Sequence, residues 1–225
     1  MKTIVEKTYE FAKNYHSNEK TGHDFEHIKR VYTNAKNILK SETSADEFIV
    51  LMSALLHDVD DPKMQTDGKE ALRFLQTLNL EKESIETILS TIEKISFTKS
   101  GTNTNFETLE MRILSDADKL DSMGCIGICR TIMFGAVKER PLFDENMFPI
   151  ENMTREQYTK TKTEGHSINH FFDKLLKLKN AMQTDTGKNL AEKRHLFMID
   201  FLRNFFNEQN LNEWNDYLNK YLDKN

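Results

Sequence analysis

The segment 48–56 holds apolar or small residues at every position, and His57 and Asp58 follow it directly. A stretch of this kind without a polar face predicts a helix that is covered by protein on all sides. Ionisable side chains next to such a helix are costly to bury unless they are paired or bound to a metal ion. The chain must therefore bring compensating groups to this point.

Helical periodicity dominates the rest of the chain. Only 8 Gly and 3 Pro in 225 residues leave few strand or hairpin boundaries, and 30% charged residues suit amphipathic helices. Apolar residues recur at the spacing of a helix, whereas clean alternation is scarce. We expect an all-α fold of roughly ten helices. The first is marked by Val5, Tyr9, Ala12 and Tyr15. Helices are predicted over 23–40, 67–79, 81–95, 124–138, 165–182, 186–208 and 211–223. Three more are predicted to start near residues 44, 104 and 154.

Three of these helices carry the sequence pattern of a capping box. In a capping box the side chains of two residues three positions apart bond each other's free backbone N–H groups. The pattern therefore predicts where these helices begin. The pairs are Ser44 with Glu47, Thr104 with Glu107, and Thr154 with Gln157.

Length and charge narrow the class of protein. One domain over residues 1–225 is expected, because this length is ample for a single core. The net charge of -5 argues against a nucleic-acid-binding surface. Neither a long apolar stretch nor a basic-then-apolar leader occurs, which argues against membrane spanning and secretion. We expect a cytoplasmic protein without nucleic-acid or membrane partners.

Two residues on separate predicted helices are candidate metal ligands. His27 precedes Val31 by four residues and Ala35 by eight, so it lies on the face of its helix that should point inward. A lone histidine at such a position is more often a satisfied core residue than a ligand. Asp58 is unfavourable beside the negative end of a helix, and a cation would compensate for this.

Three further acids, Asp116, Asp118 and Asp121, fall on one short predicted helix. A single acid there could pair with Lys or Arg, but three like charges repel one another unless a cation gathers them. Together with the two upstream histidines and Asp58, this cluster predicts a metal site.

These residues resemble the pattern of the HD-domain metal-dependent phosphohydrolases. That pattern has a His on an early helix, an adjacent His-Asp pair at the end of a later helix, and a distant Asp. It matches His27, His57 with Asp58, and Asp118 in this chain.

The resemblance extends over about residues 20–206 to one bacterial subgroup of stand-alone HD hydrolases. It implies a single all-helical HD domain with its core in that range and the C-terminal helices packed on it. The additional matching stretches are 22–31, 124–131 and 168–175.

The resemblance also implies one divalent metal ion bound by His27, His57, Asp58 and Asp118. Two imidazoles and two carboxylates form a mixed set of nitrogen and oxygen ligands. This set suits Mn²⁺ first, with Mg²⁺, Co²⁺ or Fe²⁺ as alternatives. Two-metal members of the superfamily use additional histidines between the His-Asp pair and the last Asp. None of the seven histidines here lies between positions 58 and 118, so a single-metal site is expected.

The catalytic candidate is Asp61. It matches an acidic position that orients or deprotonates the attacking water in related HD enzymes. Its side chain is one methylene shorter than the Glu of some branches. The alternative role for Asp61 is that of a turn or capping acid beside Pro62.

Arg130 and Lys63 are the favoured substrate contacts among the cations, and Asp121 is counted as a further substrate contact. Arginine suits bidentate binding of phosphate. The alternative, which fits most of the cationic candidates, is a solvated surface charge. The full set of cationic candidates is Lys63, Lys119, Arg130, Lys138 and Arg140.

As a function, the resemblance implies hydrolysis of a nucleotide phosphoester or phosphoanhydride. The favoured reaction converts a nucleoside triphosphate into the monophosphate and pyrophosphate, with a related nucleotidase reaction beside it. The alternative is a catalytically weak sensor that binds metal and nucleotide. The complete ligand set favours the enzyme, since function is read from the site rather than the fold. The expected partner is a small nucleotide, and a homodimer is left open.

Overall fold

The structure is a computed structural model that describes residues 3–17, 24–61, 67–98, 106–150 and 165–224. Within these ranges it contains ten α-helices, one 3-10 helix at Leu175–Ala181 and no strand, which confirms the all-α prediction. The α-helices are α1 (Ile4–Tyr15), α2 (Phe25–Leu39), α3 (Glu47–Leu56), α4 (Glu70–Gln76), α5 (Lys82–Thr98), α6 (Leu109–Asp121), α7 (Gly124–Val137), α8 (Asn169–Asp173), α9 (Asp185–Glu208) and α10 (Asn212–Lys224).

The chain divides into two compact units. The first comprises Met1–Asp121 with Met182–Gly187, and the second comprises Ser122–Ala181 with Lys188–Asn225. The expected single domain over 1–225 stays a prediction. Among the described residues, no one helix combines the length and apolarity needed to cross a membrane, and one consecutive pair does so only when taken together.

Helix α3 lies at the centre of the first unit, where it packs against α1, α2, α5 and α6. All eight of its residues from Ile49 to Leu56 are buried, as the absence of a polar face predicted. Burial of each large apolar side chain stabilises the fold by roughly 1.5–3 kcal/mol. This helix therefore fixes the position of the residues that follow it.

The start of α3 differs from the prediction. The side chain of Asp46 accepts the backbone N–H of Ile49 at 3.1 Å, and the helix begins at Glu47. Ser44 lies in a turn before it, so the predicted capping box of Ser44 and Glu47 is wrong. An aspartate directly before the helix is an equally good cap, and it takes the position.

The other two predicted capping boxes involve residues outside the described ranges. Thr104, Thr154 and Gln157 belong to this group. Near the first of them, the described helix α6 begins only at Leu109. There the hydroxyl of Thr108 accepts the backbone N–H of Met111 at 3.3 Å.

The segment after α3 is held by two polar contacts. The carboxylate of Asp60 accepts the backbone N–H groups of Glu70 at 2.8 Å and Ala71 at 3.2 Å, and thus caps α4 from a distant part of the chain. The hydroxyl of Tyr15 donates to the carbonyl oxygen of Val59 at 3.0 Å. These contacts fix the backbone directly after His57.

In the second unit, the continuous helix predicted over 165–182 is interrupted. Helix α8 ends at Asp173, the backbone of Lys174 leaves the helical region, and a 3-10 helix follows. The carbonyl oxygen of Phe172 accepts the hydroxyl of Tyr221 at 3.1 Å instead of serving a longer helix. A tertiary contact thus replaces a helical hydrogen bond.

Candidate metal centre

Helix α2 places His27 in its first turn. The carboxylate of Asp24 caps the helix by accepting the backbone N–H of His27 at 2.9 Å. Because α2 packs against both α3 and α6, the residue His27 is only 2% exposed. Its buried position on the inner face of α2 matches the prediction.

His57 and Asp58 follow the last residue of α3, and both are buried. Nδ1 of His57 lies 3.0 Å from the carbonyl oxygen of Ala54. In the tautomer that donates an Nδ1 proton to this oxygen, the lone pair is on Nε2, the nitrogen that faces His27. The end of α3 thereby sets the orientation of the imidazole.

Four side-chain atoms converge between α2, α3 and α6. Nε2 of His27 lies 3.2 Å from Oδ2 of Asp58 and 3.5 Å from Oδ1 of Asp118. Nε2 of His57 lies 3.4 Å and 3.8 Å from the same two oxygens, and the two Nε2 atoms are 3.3 Å apart. Atoms bound about 2.1 Å from one ion lie roughly 3.0–3.5 Å apart at right to tetrahedral angles. His27, His57 and Asp118 thus offer ligand atoms close enough to one another to hold a single divalent ion, and Asp58 contacts both imidazoles beside them.

The electrostatics of this cluster also fit a cation. Burial lowers the pKa of His27, but the hydrogen bonds to Asp121 and Asp58 and the charge of Asp118 outweigh it and raise this pKa to about 9. The negative charge of the surrounding carboxylates thus favours a positive charge at this position, from either a protonated imidazole or a cation. The side chain of Asp118 is 17% exposed whereas that of Asp58 is 1% exposed, so Asp118 is the ligand with access to solvent.

Asp121 lies on the opposite side of the His27 ring from the other acids. Its Oδ2 is 2.7 Å from Nδ1 of His27, and the guanidinium of Arg30 bonds both of its oxygens. The carboxylate is 1% exposed. Its predicted role as a substrate contact remains untested, and this geometry favours a role in orienting His27 instead.

Arg30 is a residue of this centre that sequence reasoning did not identify. Its spacing of three residues after His27, which puts the two on neighbouring positions of one helix, was the available signal.

Asp116, the remaining aspartate of α6, has a structural role. It is fully buried and accepts the backbone N–H groups of Gln183 and Thr184, together with the hydroxyl of Thr184. Burial raises the pKa of Asp116, and the bonds from Thr184 and Gln183 oppose this shift. A Cβ added at Gly187 would lie 2.3 Å from its Oδ2, so the backbone approaches closely here. Asp116 thus anchors the segment 182–187.

The remaining predicted site residues are Asp61, Lys63 and Arg130. Asp61 is half-buried, and its backbone N–H donates to the carbonyl oxygen of Asp58 at 3.2 Å. Lys63 lies outside the described residues. Arg130 is half-buried on α7 in the second unit. The catalytic role of Asp61 and the substrate contacts of Lys63 and Arg130 stay predictions.

Comparison with known proteins gives a consistent result. The HD domain family matches residues 24–123. The Bacillus subtilis protein YpgQ is 34% identical over 192 residues, which cover 83% of this chain and 84% of YpgQ. A crystal structure of YpgQ in complex with ADP has a TM-score of 0.70 at 29% identity, over 91% of this chain and 97% of that chain.

Two other crystal structures are similar along nearly their whole length. A Lactobacillus plantarum protein has a TM-score of 0.79 at 32% identity, over 93% of this chain and 99% of that chain. A Bacillus thuringiensis protein described as an HD-superfamily hydrolase has a TM-score of 0.73 at 33% identity, over 92% of this chain and 96% of that chain. The pattern of His27, His57-Asp58 and Asp118 thus lies within a shared sequence and a shared fold: this chain belongs to the HD-domain family.

Proposed function

We propose that this chain is a metal-dependent phosphohydrolase that acts on a nucleotide. The favoured reaction is conversion of a nucleoside triphosphate into the monophosphate and pyrophosphate, with a related nucleotidase reaction as the second choice. The observation that carries the proposal is the convergence of two imidazole nitrogens and two carboxylate oxygens in one buried cluster. The description of a relative as a hydrolase and the ADP complex of YpgQ support it.

Mn²⁺ is the proposed metal ion, and when bound it would polarise a phosphoryl oxygen and lower the pKa of a water molecule. His27 and His57 would supply neutral nitrogen ligands through Nε2, while Asp58 and Asp118 would supply negative charge. The reacting phosphate is proposed to approach from the side of Asp118, which is supported by the partial exposure of that side chain. Asp61, in the loop after α3, is proposed to accept a proton from the attacking water.

The charges of the centre suit an anionic substrate. Asp58, Asp118 and Asp121 contribute three negative charges, and Arg30 together with a divalent ion would balance them. A balanced centre does not repel a polyphosphate as a bare carboxylate cluster would. Arg130 and Lys63 are proposed to contact the phosphates, because cations stabilise the charge on phosphoryl oxygens.

Product analysis tests this proposal. Ribo- and deoxynucleoside mono-, di- and triphosphates are incubated with the protein and Mn²⁺, and phosphate is scored separately from pyrophosphate. Pyrophosphate from triphosphates supports the favoured reaction, and phosphate from monophosphates supports the nucleotidase. Asp58→Ala is expected to be inactive, whereas Asp216→Ala, the same change at an exposed position, should retain wild-type rates.

One result would favour the sensor instead. A wild-type protein that binds Mn²⁺ and a nucleotide but shows no metal-dependent turnover of any nucleotide would contradict the enzyme proposal. A cytoplasmic location, the absence of nucleic-acid partners and the choice between monomer and homodimer stay predictions beside it.

A further inference from the structure

Arg30 forms a bidentate ion pair with Asp121. Its Nε donates to Oδ1 at 2.5 Å and its Nη2 donates to Oδ2 at 3.2 Å. A guanidinium and a carboxylate joined through two parallel bonds are fixed in orientation as well as in distance. Asp121 therefore has little freedom to rotate about its side-chain bonds.

The same carboxylate holds the imidazole of His27. Oδ2 of Asp121 lies 2.7 Å from Nδ1 of His27, and Nε2 on the far side of the ring faces Asp58 and Asp118. A carboxylate that accepts the Nδ1 proton fixes both the tautomer and the direction of the opposite nitrogen. The orientation of Asp121 is thus transmitted to Nε2 of His27.

Arg30, Asp121 and His27 differ in how far they are buried. Asp121 and His27 are almost fully buried, whereas 32% of the Arg30 side chain is exposed. An exposed ion pair contributes little to the stability of a fold, but removing the partner of a buried carboxylate strongly destabilises the fold. Arg30 supplies the bidentate contact to the same carboxylate that contacts His27, so its loss would remove a charged partner that holds Asp121 in this orientation.

We infer that Arg30 is a positioning residue: it locks Asp121 so that His27 keeps Nδ1–H toward Asp121 and Nε2 toward the metal ion. This inference rests on the metal centre of the proposed function. It requires the forked shape of the guanidinium and not merely a positive charge. Arg30 acts through Asp121 and His27 and does not contact the substrate.

The test measures metal affinity rather than activity alone. Mn²⁺ binding is followed by calorimetry in wild type, Arg30→Met and Arg30→Lys, with Lys29→Met as the control for loss of an exposed neighbouring cation. Loss of an outer partner of a metal ligand costs about 10–100-fold in affinity. We expect a weakening of at least about tenfold for both Arg30 variants and no change for Lys29→Met.

Two further readouts separate positioning from a general loss of structure. In Zn²⁺-loaded protein, nitrogen NMR of the His27 ring should show a protonated Nδ1 in wild type and loss of that single state in Arg30→Met. Asp121→Asn should weaken Mn²⁺ binding, and adding Arg30→Met to it should weaken binding no further, because both changes interrupt one chain of contacts. Arg30→Lys keeps the charge, so it remains informative if Arg30→Met does not fold.

The outcomes discriminate between the claims. Unchanged Mn²⁺ affinity and an unchanged His27 signal in Arg30→Met would overturn the inference, even if turnover fell. Wild-type affinity in Arg30→Lys would also overturn it, because charge alone would then suffice. Failure of the wild type to bind Mn²⁺ would instead contradict the proposed metal centre itself.

Discussion

Two acidic clusters of the first unit, one directly after α3 and one in α6, look alike in sequence but divide their roles in the same unexpected way. Each contributes one carboxylate to the candidate metal centre, Asp58 from the first and Asp118 from the second. In each, a neighbouring carboxylate instead accepts backbone N–H groups of another segment, Asp60 from α4 and Asp116 from 182–187. The role of a carboxylate is therefore decided by the groups it faces and not by its neighbours in sequence.

The third acid distinguishes the two clusters. Asp121 of α6 is buried and bonded to His27 and Arg30, whereas Asp61 lies half-buried in the loop after α3. A fully buried carboxylate must have strong partners, whereas a partly exposed one can exchange protons with solvent. The α6 cluster thus has its third acid against His27, whereas the cluster after α3 keeps its third acid, the proposed catalytic residue Asp61, partly exposed.

Removing a proposed metal ligand should have the largest effect on Mn²⁺ binding, and it should distinguish the roles of Asp118 and Asp116 in α6 most clearly. Asp118→Ala is expected to abolish measurable Mn²⁺ binding and to lower kcat/KM for a nucleotide by more than about 100-fold, the upper range for outer partners of metal ligands. Asp116→Asn, on the same helix, should keep Mn²⁺ binding. Calorimetry and product analysis measure both, and an equal loss in the two variants would contradict this division of roles.

The pH dependence of stability should show how the acids of both clusters act together on His27. The pKa of His27 is about 9 in the folded protein, above its ordinary value of 6.5. Its charged form therefore stabilises the metal-free fold below about pH 6.5, and this contribution is lost as the pH rises through 9. The loss should be on the order of 3 kcal/mol between pH 6 and pH 10.

Urea unfolding of EDTA-treated protein across this range measures the effect. His27→Gln serves as the control, because it removes this group and should flatten the pH dependence. Equal pH slopes in wild type and His27→Gln would show that the acids do not hold a charged imidazole. Because a metal ion requires the neutral imidazole, Mn²⁺ affinity should rise with pH up to about 9.

Asp116→Ala should cost stability without affecting the metal centre. It leaves the backbone N–H groups of Gln183 and Thr184 without their buried acceptor, which costs about 2–3 kcal/mol. Denaturant unfolding gives this free energy, and calorimetry should show Mn²⁺ binding of wild-type strength at a temperature where the variant is folded. A change in the free energy of unfolding smaller than the error of the measurement would contradict the anchoring role of Asp116.

Asp60→Ala should show the smallest effect of the set. It removes the side chain that caps α4, and loss of such a cap costs about 1 kcal/mol. Thermal unfolding detects the shift, with Asp216→Ala as the control for loss of an exposed aspartate. A loss of Mn²⁺ binding in Asp60→Ala as severe as in Asp118→Ala would place Asp60 in the metal centre instead.

Local pattern was sufficient for most of the helices. The helices predicted at 124–138, 186–208 and 211–223 agree with α7, α9 and α10 to within a residue at each end. The apolar segment 48–56 is the buried part of α3, apart from its half-buried first residue. These features depend on residues within one or two turns of each other, which is the range over which periodicity carries information.

The prediction failed at two places, in one case because a distant group intervened and in the other because of a local competitor. The predicted helix over 165–182 breaks where Tyr221, 49 residues from Phe172, takes a carbonyl oxygen of the helix. The capping box at Ser44 failed for a local reason, since Asp46 is a competing cap nearer to the helix. Sequence spacing alone could not rank these competing partners.

The candidate site was likewise predicted in part. The pattern of His27, His57-Asp58 and Asp118 named four residues that the structure brings together, although metal binding by them stays a prediction. Asp121 was expected to contact substrate and is found behind His27, 94 residues away in sequence, with Arg30 on its other side. No local pattern indicated that triad.

The sequence by itself determined that the protein is helical, that the apolar segment before His57 is buried from Ile49 to Leu56, and that His57 and Asp58 stand at its end. Each of these follows from the periodicity of side chains along one helix. The resemblance had already named Asp58 and Asp118 as metal ligands, but only the tertiary structure decided that Asp116 anchors a segment and that Asp121 lies against His27. The physical reason is that a buried carboxylate takes its role from its hydrogen-bond partners. For Asp121 and Asp116 those partners, His27 and Thr184, lie 94 and 68 residues away.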